Sequence, residues 1–264
     1  MKNETIENPI SYCLCTLAFG QSYRMAAKEL ATKAAESGIR LTVATDEPED
    51  FKDHYNVTAL NFTRTSIWKP YNDKRFAVAA ALKDNECVIL VDADSNILAE
   101  LPKKINVEPG MTAYTAYKSL EEDLILHHAQ ENLEGFRQLA KKLHIDLAQT
   151  KWVAENLVII RRDGGKEWQF LDTWAFADRY LGIRKVFQGD HGFIGVSAAS
   201  VGWQVKRNDD FNQLKSIIKN MGRDSLEKRT KPTYLTKTKS RIMFHYLYYK
   251  ALFNSLLNYD KYWS

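Results

Sequence analysis

CVILVDADSN, residues 87–96, is the stretch that decides the architecture. Five unbroken apolar residues, Cys87 to Val91, are what a central strand buried on both faces requires. The run stops at Asp92-Ala93-Asp94. Carboxylates two residues apart in extended chain point to the same side, about 7 Å from one another. A hard divalent cation takes oxygen ligands of this kind and keeps waters and substrate phosphates in its shell. In open parallel sheets ligands bind beyond the carboxyl ends of the strands, and this pair stands at such an end. The plainer reading of the same residues is a solvated acidic turn.

Upstream, the order of elements alternates. Ile10 to Thr16 has strand character, and Leu17 to Gly20 makes a turn. Ser22 to Ser37 carries Ala26, Ala27, Leu30, Ala31 and Ala34 at helical spacing, with Ser22 as N-cap and Gly38 as terminator. Arg40 to Thr45 is a second strand, so the chain begins with a β-α-β unit and parallel strands. A weaker strand covers Val57 to Phe62. A helix from Asn72 to Lys83 turns Phe76, Ala79, Ala80 and Leu82 inward. Downstream, strands are expected at Met111 to Ala116, Val153 to Ile160 and Trp203 to Lys206. Helices are expected over Glu121 to Leu143, Lys166 to Tyr180, Phe211 to Asn220 and Ser240 to Tyr259, and a glycine-punctuated loop from Gly189 enters a short helix. The expected fold is α/β: one domain over residues 1–264, a mainly parallel central sheet flanked by helices. Residues 8–100, about, form a Rossmann-like half and 101–264 a second half.

Composition narrows the class. Of 264 residues 45% are hydrophobic, which is ordinary for a globular chain and excludes a disordered one. No apolar run reaches the roughly 18 residues of a membrane span, and the polar, acidic MKNETIENPI is unlike a signal peptide. Both point to the cytoplasm. Cys13, Cys15 and Cys87 lie in apolar runs without a CxxC pair and read as reduced core thiols. The net charge of +4 is uneven: residues 215–250 carry ten Lys or Arg against two acids. A basic, tyrosine-rich tail suits an anionic membrane surface, nucleic acid or phosphate-bearing substrates, and otherwise is a solvated face.

Five stretches resemble the GT-A glycosyltransferases, loosely the retaining family-8 type. They are CTLAFGQSYRMAAKEL (15–30), ATDEPEDF (44–51), YNDKRFAVAAALKDNECVILVDAD (71–94), WVAENLVIIRRDGGKEWQFLDTW (152–174) and GDHGFIGVSAASVGWQV (189–205). The resemblance runs over most of the chain and is specific in these patches. FHYLYYK (244–250) lacks the glycine of the family's C-terminal pattern, and Ala154 to Val158 lacks its Asn-Ala-Gly. The resemblance implies transfer of a sugar from a nucleotide sugar, a UDP-sugar favoured, to an acceptor hydroxyl. The acceptor would be a saccharide or lipid-linked saccharide in bacterial surface polysaccharide or glycoconjugate synthesis, with no nucleic acid as partner and a possible peripheral contact with an anionic membrane.

The resemblance also assigns roles. Backbone groups at Thr16, Leu17 and Ala18 read the base. Phe19 or Tyr23 stacks on it, or simply packs beneath the sheet. Asp46 meets ribose or base, or is a turn residue before Glu47-Pro48. Lys74, in preference to the adjacent Arg75, neutralises the diphosphate, or both belong to a solvated helix face. Asp92, Ala93 and Asp94 hold the donor, with Mn²⁺ or Mg²⁺ on Asp92 and Asp94. His245 is the third metal ligand, or part of a core stripe with Ile242, Tyr249, Leu252 and Leu256. Asp190 acts on the donor sugar or as base, or is an N-cap. Glu155 is a base, or an ion-pair partner of Arg161 or Arg162. Trp152, Asn156 and His191 face the acceptor. Two readings compete: a haloacid-dehalogenase-type phosphohydrolase using Asp92, and a non-catalytic sugar-binding protein on the same fold.

Overall fold

The computed structural model describes residues 9–127, 130–186, 190–221 and 234–263. Its first half alternates as expected: β1 (Cys13–Ala18), α1 (Gln21–Glu36), β2 (Leu41–Thr45), β3 (Val57–Asn61), α2 (Arg75–Asp84) and β4 (Cys87–Val91). Small residues on α1 let it lie close on the sheet, and Ala26, Ala27, Leu30, Ala31 and Ala34 are all buried. Gly38 ends this helix at φ 69°, a left-handed conformation that an L side chain resists. Its N–H donates to Ala35 O at 2.9 Å, and that of Ile39 to Ala34 O at 3.0 Å. The N-cap is Gly20 rather than Ser22, with no side-chain bond to the helix.

The second half supplies β5 (Ser95–Ile97), β6 (Gly110–Ser119), α3 (Leu120–His127), α4 (Gln130–Leu143), β7 (Lys151–Arg161), α5 (Lys166–Ile183), α6 (Asp190–Ser200), α7 (Asp209–Ile217), β8 (Ile218–Asn220), α8 (Tyr234–Leu257) and a final turn of helix, α9 (Tyr259–Tyr262). Six strands form one sheet in the order β3-β2-β1-β4-β7-β6. The first four are parallel; β7 runs antiparallel to β4, and β6 antiparallel to β7. The sheet is mostly parallel and flanked by helices on both faces, as the sequence led us to expect. Strands from both halves of the chain are hydrogen-bonded in it. On one face Val88 and Leu90 meet Phe136, Phe170, Trp174 and Phe193; on the other Ile89 and Val91 meet Leu30 and Phe211. Each face is thus a layer interface of the kind that α/β proteins bury.

Three further expectations are corrected. Helix α2 buries Arg75, Ala77, Val78, Ala81 and Leu82, leaving Phe76 more exposed than buried positions beside it. A 3-10 turn, Pro70–Lys74, precedes it and shifts the phase of the inward face. Trp203 to Lys206 is not a strand; Lys206 makes one parallel bridge to Thr112. The helix expected to reach Asn220 ends at Ile217, and the chain extends into β8, paired antiparallel with β5. The β-branched pair Ile217-Ile218 favours that extension.

Candidate active site

β1, β2 and β4 end at one edge of the sheet because they are parallel. Asp92 to Asp94 follow β4 there, but as a turn: the Ser95 N–H donates to Asp92 O at 3.0 Å. The extended spacing expected for the two carboxylates is therefore replaced by an i to i+3 turn. Ala93 is buried in the core beneath, while Asp92 and Asp94 are half-buried. Two side chains hold Asp92. Lys74 Nζ donates to Oδ1 at 2.5 Å, and Asn220 Nδ2 donates to Oδ2 at 2.5 Å. The backbone follows: Met221 N–H donates to Asp94 O at 3.1 Å.

Lys74 is aimed by a buried polar frame. Asp73, fully buried, accepts from the amides of Thr65 and Ser66 at 2.9 Å each, from Thr65 Oγ1 at 2.5 Å and from Arg75 Nη1 at 2.8 Å. Arg64 donates to the carbonyls of Ser66 and Ile67. Beneath them Asp178 of α5 accepts from Ser66 Oγ and Asn72 Nδ2, both at 2.9 Å. Burial pushes the Asp178 carboxyl up to about 6, against the opposing pull of Arg75. Arg75 is thus committed to the frame, while Lys74 reaches Asp92.

The opposite wall comes from β7. Leu157 pairs with Val91, so Asn156 reaches the level at which β4 gives way to Asp92. Between the Ala113–Val158 and Thr115–Val153 pairs, β7 advances five residues while β6 advances two. Residues 154–157 bulge from that ladder, and bulges re-aim side chains. Asn156 Oδ1 accepts from Lys215 Nζ of α7 at 3.0 Å. Glu155 Oε2 lies 3.8 Å from His191 Nδ1 of α6, and the His191 ring sits 5.2 Å from that of Trp152. Glu155 therefore faces His191, rather than Arg161 or Arg162, which bind Glu86 and the Leu82 carbonyl.

The remaining expected residues divide. Thr16 is buried, its Oγ1 donating to Val91 O at 2.8 Å, and the side chains of Leu17 and Ala18 are in the core. Only their backbone is left to face a ligand. Phe19 packs partly against the core and Tyr23 is exposed. Asp46 Oδ1 accepts from Gly20 N–H at 3.0 Å and Arg24 Nη1 at 2.8 Å, so it pins the start of α1. Asp190 opens α6, but its side chain lies outside the described residues. His245 is on the exposed side of α8, stacked on Tyr249 at 6.3 Å. Neither expected role for it matches: it does not join Asp92 and Asp94, and the buried stripe of α8 is Leu247, Ala251 and Ser255. Among the described residues no three His, Cys, Asp or Glu side chains gather as a metal-ligand set.

Lys215 and Asn220 were not found from the sequence. Both lie in the segment read as one continuous helix, where a lysine and an asparagine look solvated. The signal available was the β-branched run that breaks the helix before Asn220.

No family profile matches the chain. No curated protein matches it either. Among solved structures, it is similar to the galactosyltransferase LgtC in complex with donor and acceptor sugar analogs, at a TM-score of 0.45 and 12% identity, over 74% of this chain and 72% of that one.

Proposed function

We propose that the chain transfers a sugar from a nucleotide sugar to an acceptor hydroxyl. One observation carries the reading: at the carboxyl edge of the parallel strands, Lys74 and Asp92 meet at 2.5 Å, and a second wall presenting Asn156, Glu155 and His191 stands across from them. A nucleotide at this edge places its diphosphate against Lys74, which offsets the charge that builds as the sugar–phosphate bond breaks. In an inverting transfer Glu155 accepts the proton of the acceptor hydroxyl as its oxygen bonds to the anomeric carbon, and the nucleoside diphosphate departs. Trp152 gives that acceptor an apolar face.

The donor set of Asp92 and Asp94 fits Mn²⁺ or Mg²⁺. Each carboxylate oxygen has two lone-pair sites, so the bonds from Lys74 and Asn220 leave oxygen available on Asp92. Mg²⁺ is commonly held by one or two carboxylates, with phosphates and water completing the shell. Such an ion would supply Lewis-acid neutralisation of the diphosphate.

The test is calorimetric titration of UDP-sugars with and without Mn²⁺, on the wild type and on a chain carrying Asp92→Ala and Asp94→Ala. We expect Mn²⁺ to tighten wild-type binding by at least about tenfold, about 1.4 kcal/mol, and to do nothing for the variant. Equal nucleotide affinity in a folded double variant overturns the site, and no binding of any nucleotide sugar by the wild type overturns the function.

The surface of α8 supports a place of action at a membrane. Among the described residues no helix is long and apolar enough to cross a membrane. Yet Ile242, Tyr246, Tyr249, Phe253, Leu256 and Leu257 are each more than half exposed. Residues 234–257 contain four Lys or Arg and no acid. Peripheral contact with an anionic membrane, with a lipid-linked saccharide as acceptor, suits that surface.

A further inference from the structure

Lys215 is half-buried on α7. Its helix, α7, is anchored by Phe211 and Leu214, both essentially inaccessible, and capped by Asn208, whose Oδ1 accepts from the Phe211 N–H at 2.9 Å. Lysines on such a helix extend into water. This one folds inward, and its recorded partner is the neutral Oδ1 of Asn156 at 3.0 Å. One N–H is used there, and an ammonium has three. Burial, and then the neighbouring Lys219, hold its protonated form below the usual lysine range, while Asp92 and Glu155 act against them. Both carboxylates thus lie within electrostatic reach, one on each wall of the site. The cation is partly desolvated and bonded to an uncharged amide. An oxyanion arriving there gains a charge-assisted bond.

We propose that Lys215 binds the diphosphate of the donor as a second side-chain cation beside Lys74, and that Asn156 positions it; this rests on the nucleotide-sugar reading above. Lys74 approaches from the 3-10 turn before α2 and Lys215 from α7, so a diphosphate on Asp92 is met by cations from two separate elements. The bulge in β7 acquires a purpose: it carries Asn156 to the place where it can hold the ammonium.

The probes are inorganic pyrophosphate, UDP and uridine, titrated into the full chain at low salt. Lys215→Ala should weaken pyrophosphate and UDP by at least about tenfold and leave uridine unchanged. Lys215→Arg, which keeps the charge, should recover most of the loss, and Asn156→Ala should fall between wild type and Lys215→Ala. Unchanged pyrophosphate affinity in Lys215→Ala, or an equal loss for uridine, overturns the assignment. The parent reading is tested separately by the same data. Lys215-dependent pyrophosphate binding without any UDP binding keeps the anion ligand and removes the nucleotide; full UDP binding in Lys215→Ala keeps the nucleotide and removes Lys215.

Discussion

Asp178 is buried on α5, and its carboxyl is raised to about 6 by that burial. Ser66 and Asn72 donate to it, Arg75 attracts its charged form and Asp73 repels it. A carboxyl raised from 3.8 in the fold binds its proton more tightly folded than unfolded. Its contribution to stability is complete below the unfolded value and is lost as pH rises through the folded one. Stability should therefore fall by on the order of 2–3 kcal/mol from this group between about pH 4 and pH 6. Asp178→Asn keeps Oδ1, which accepts both bonds, and removes the titration. Urea unfolding over that range should show the wild type losing ground to the variant as pH rises, and parallel curves would show that Asp178 is already ionised at low pH. This residue could not have been singled out from the sequence, since an Asp inside a helix looks solvated until α5 is known to cover residues 66–72. Asp92 was legible for the opposite reason: the apolar run before it fixes where it stands. Lys74 was legible only with a neighbour, because what separates it from Arg75 is the frame around Asp73.

Helix α6 lies on β7 because of Gly195. A Cβ there would stand 2.4 Å from the Lys151 carbonyl oxygen, which is backbone and cannot swing aside. One turn earlier on this helix is His191, and next to Lys151 is Trp152, so the approach sets the His191–Trp152 and His191–Glu155 contacts. Gly195→Ala should cost about 2–3 kcal/mol by overpacking, read as a lowered denaturant midpoint. It should also lower turnover by more than it changes UDP affinity, since the donor wall belongs to other elements. Equal losses in both would mean that α6 serves both walls. Helix α8 carries the second prediction at this scale. Vesicles with anionic lipid should co-sediment the chain at low salt and release it at high salt, each Lys or Arg near the surface contributing about 1 kcal/mol. Tyr249→Ser with Phe253→Ser should weaken that binding without unfolding the chain, because both side chains are more than 60% exposed. No sedimentation at low salt, or binding that ignores both changes, would remove the membrane. The exposed stripe was invisible to periodicity: α8 is apolar on opposite sides, and spacing alone placed Ile242 and Tyr249 inside.

The whole molecule is organised by one sheet that joins its two halves through the β4–β7 ladder. Neither half can expose its edge without breaking those bonds. Calorimetric unfolding should accordingly be a single transition, with calorimetric and van't Hoff enthalpies in agreement; two resolved transitions would show that the halves melt apart. Element order and the parallel first four strands were readable, since the alternation of apolar runs with helical spacing states them directly. The antiparallel return of β7 was not, because strand direction depends on the path of the connections, and residues 98–109 and 120–150 carry no direction signal. That return has a consequence for how such a chain tolerates growth. Asp92 and Asn156 owe their proximity to one pairing, Val91 with Leu157, and not to the length of any loop. Residues added at Gly164-Gly165, beyond the end of β7, leave the pairing untouched and should be accepted. A single residue inserted between Leu157 and Ile160 instead forces a choice: the buried faces of β7 keep their places, or Glu155 and Asn156 do. Insertions would then sort cleanly by position, harmless in the surface loops and abolishing activity at three consecutive junctions of one strand.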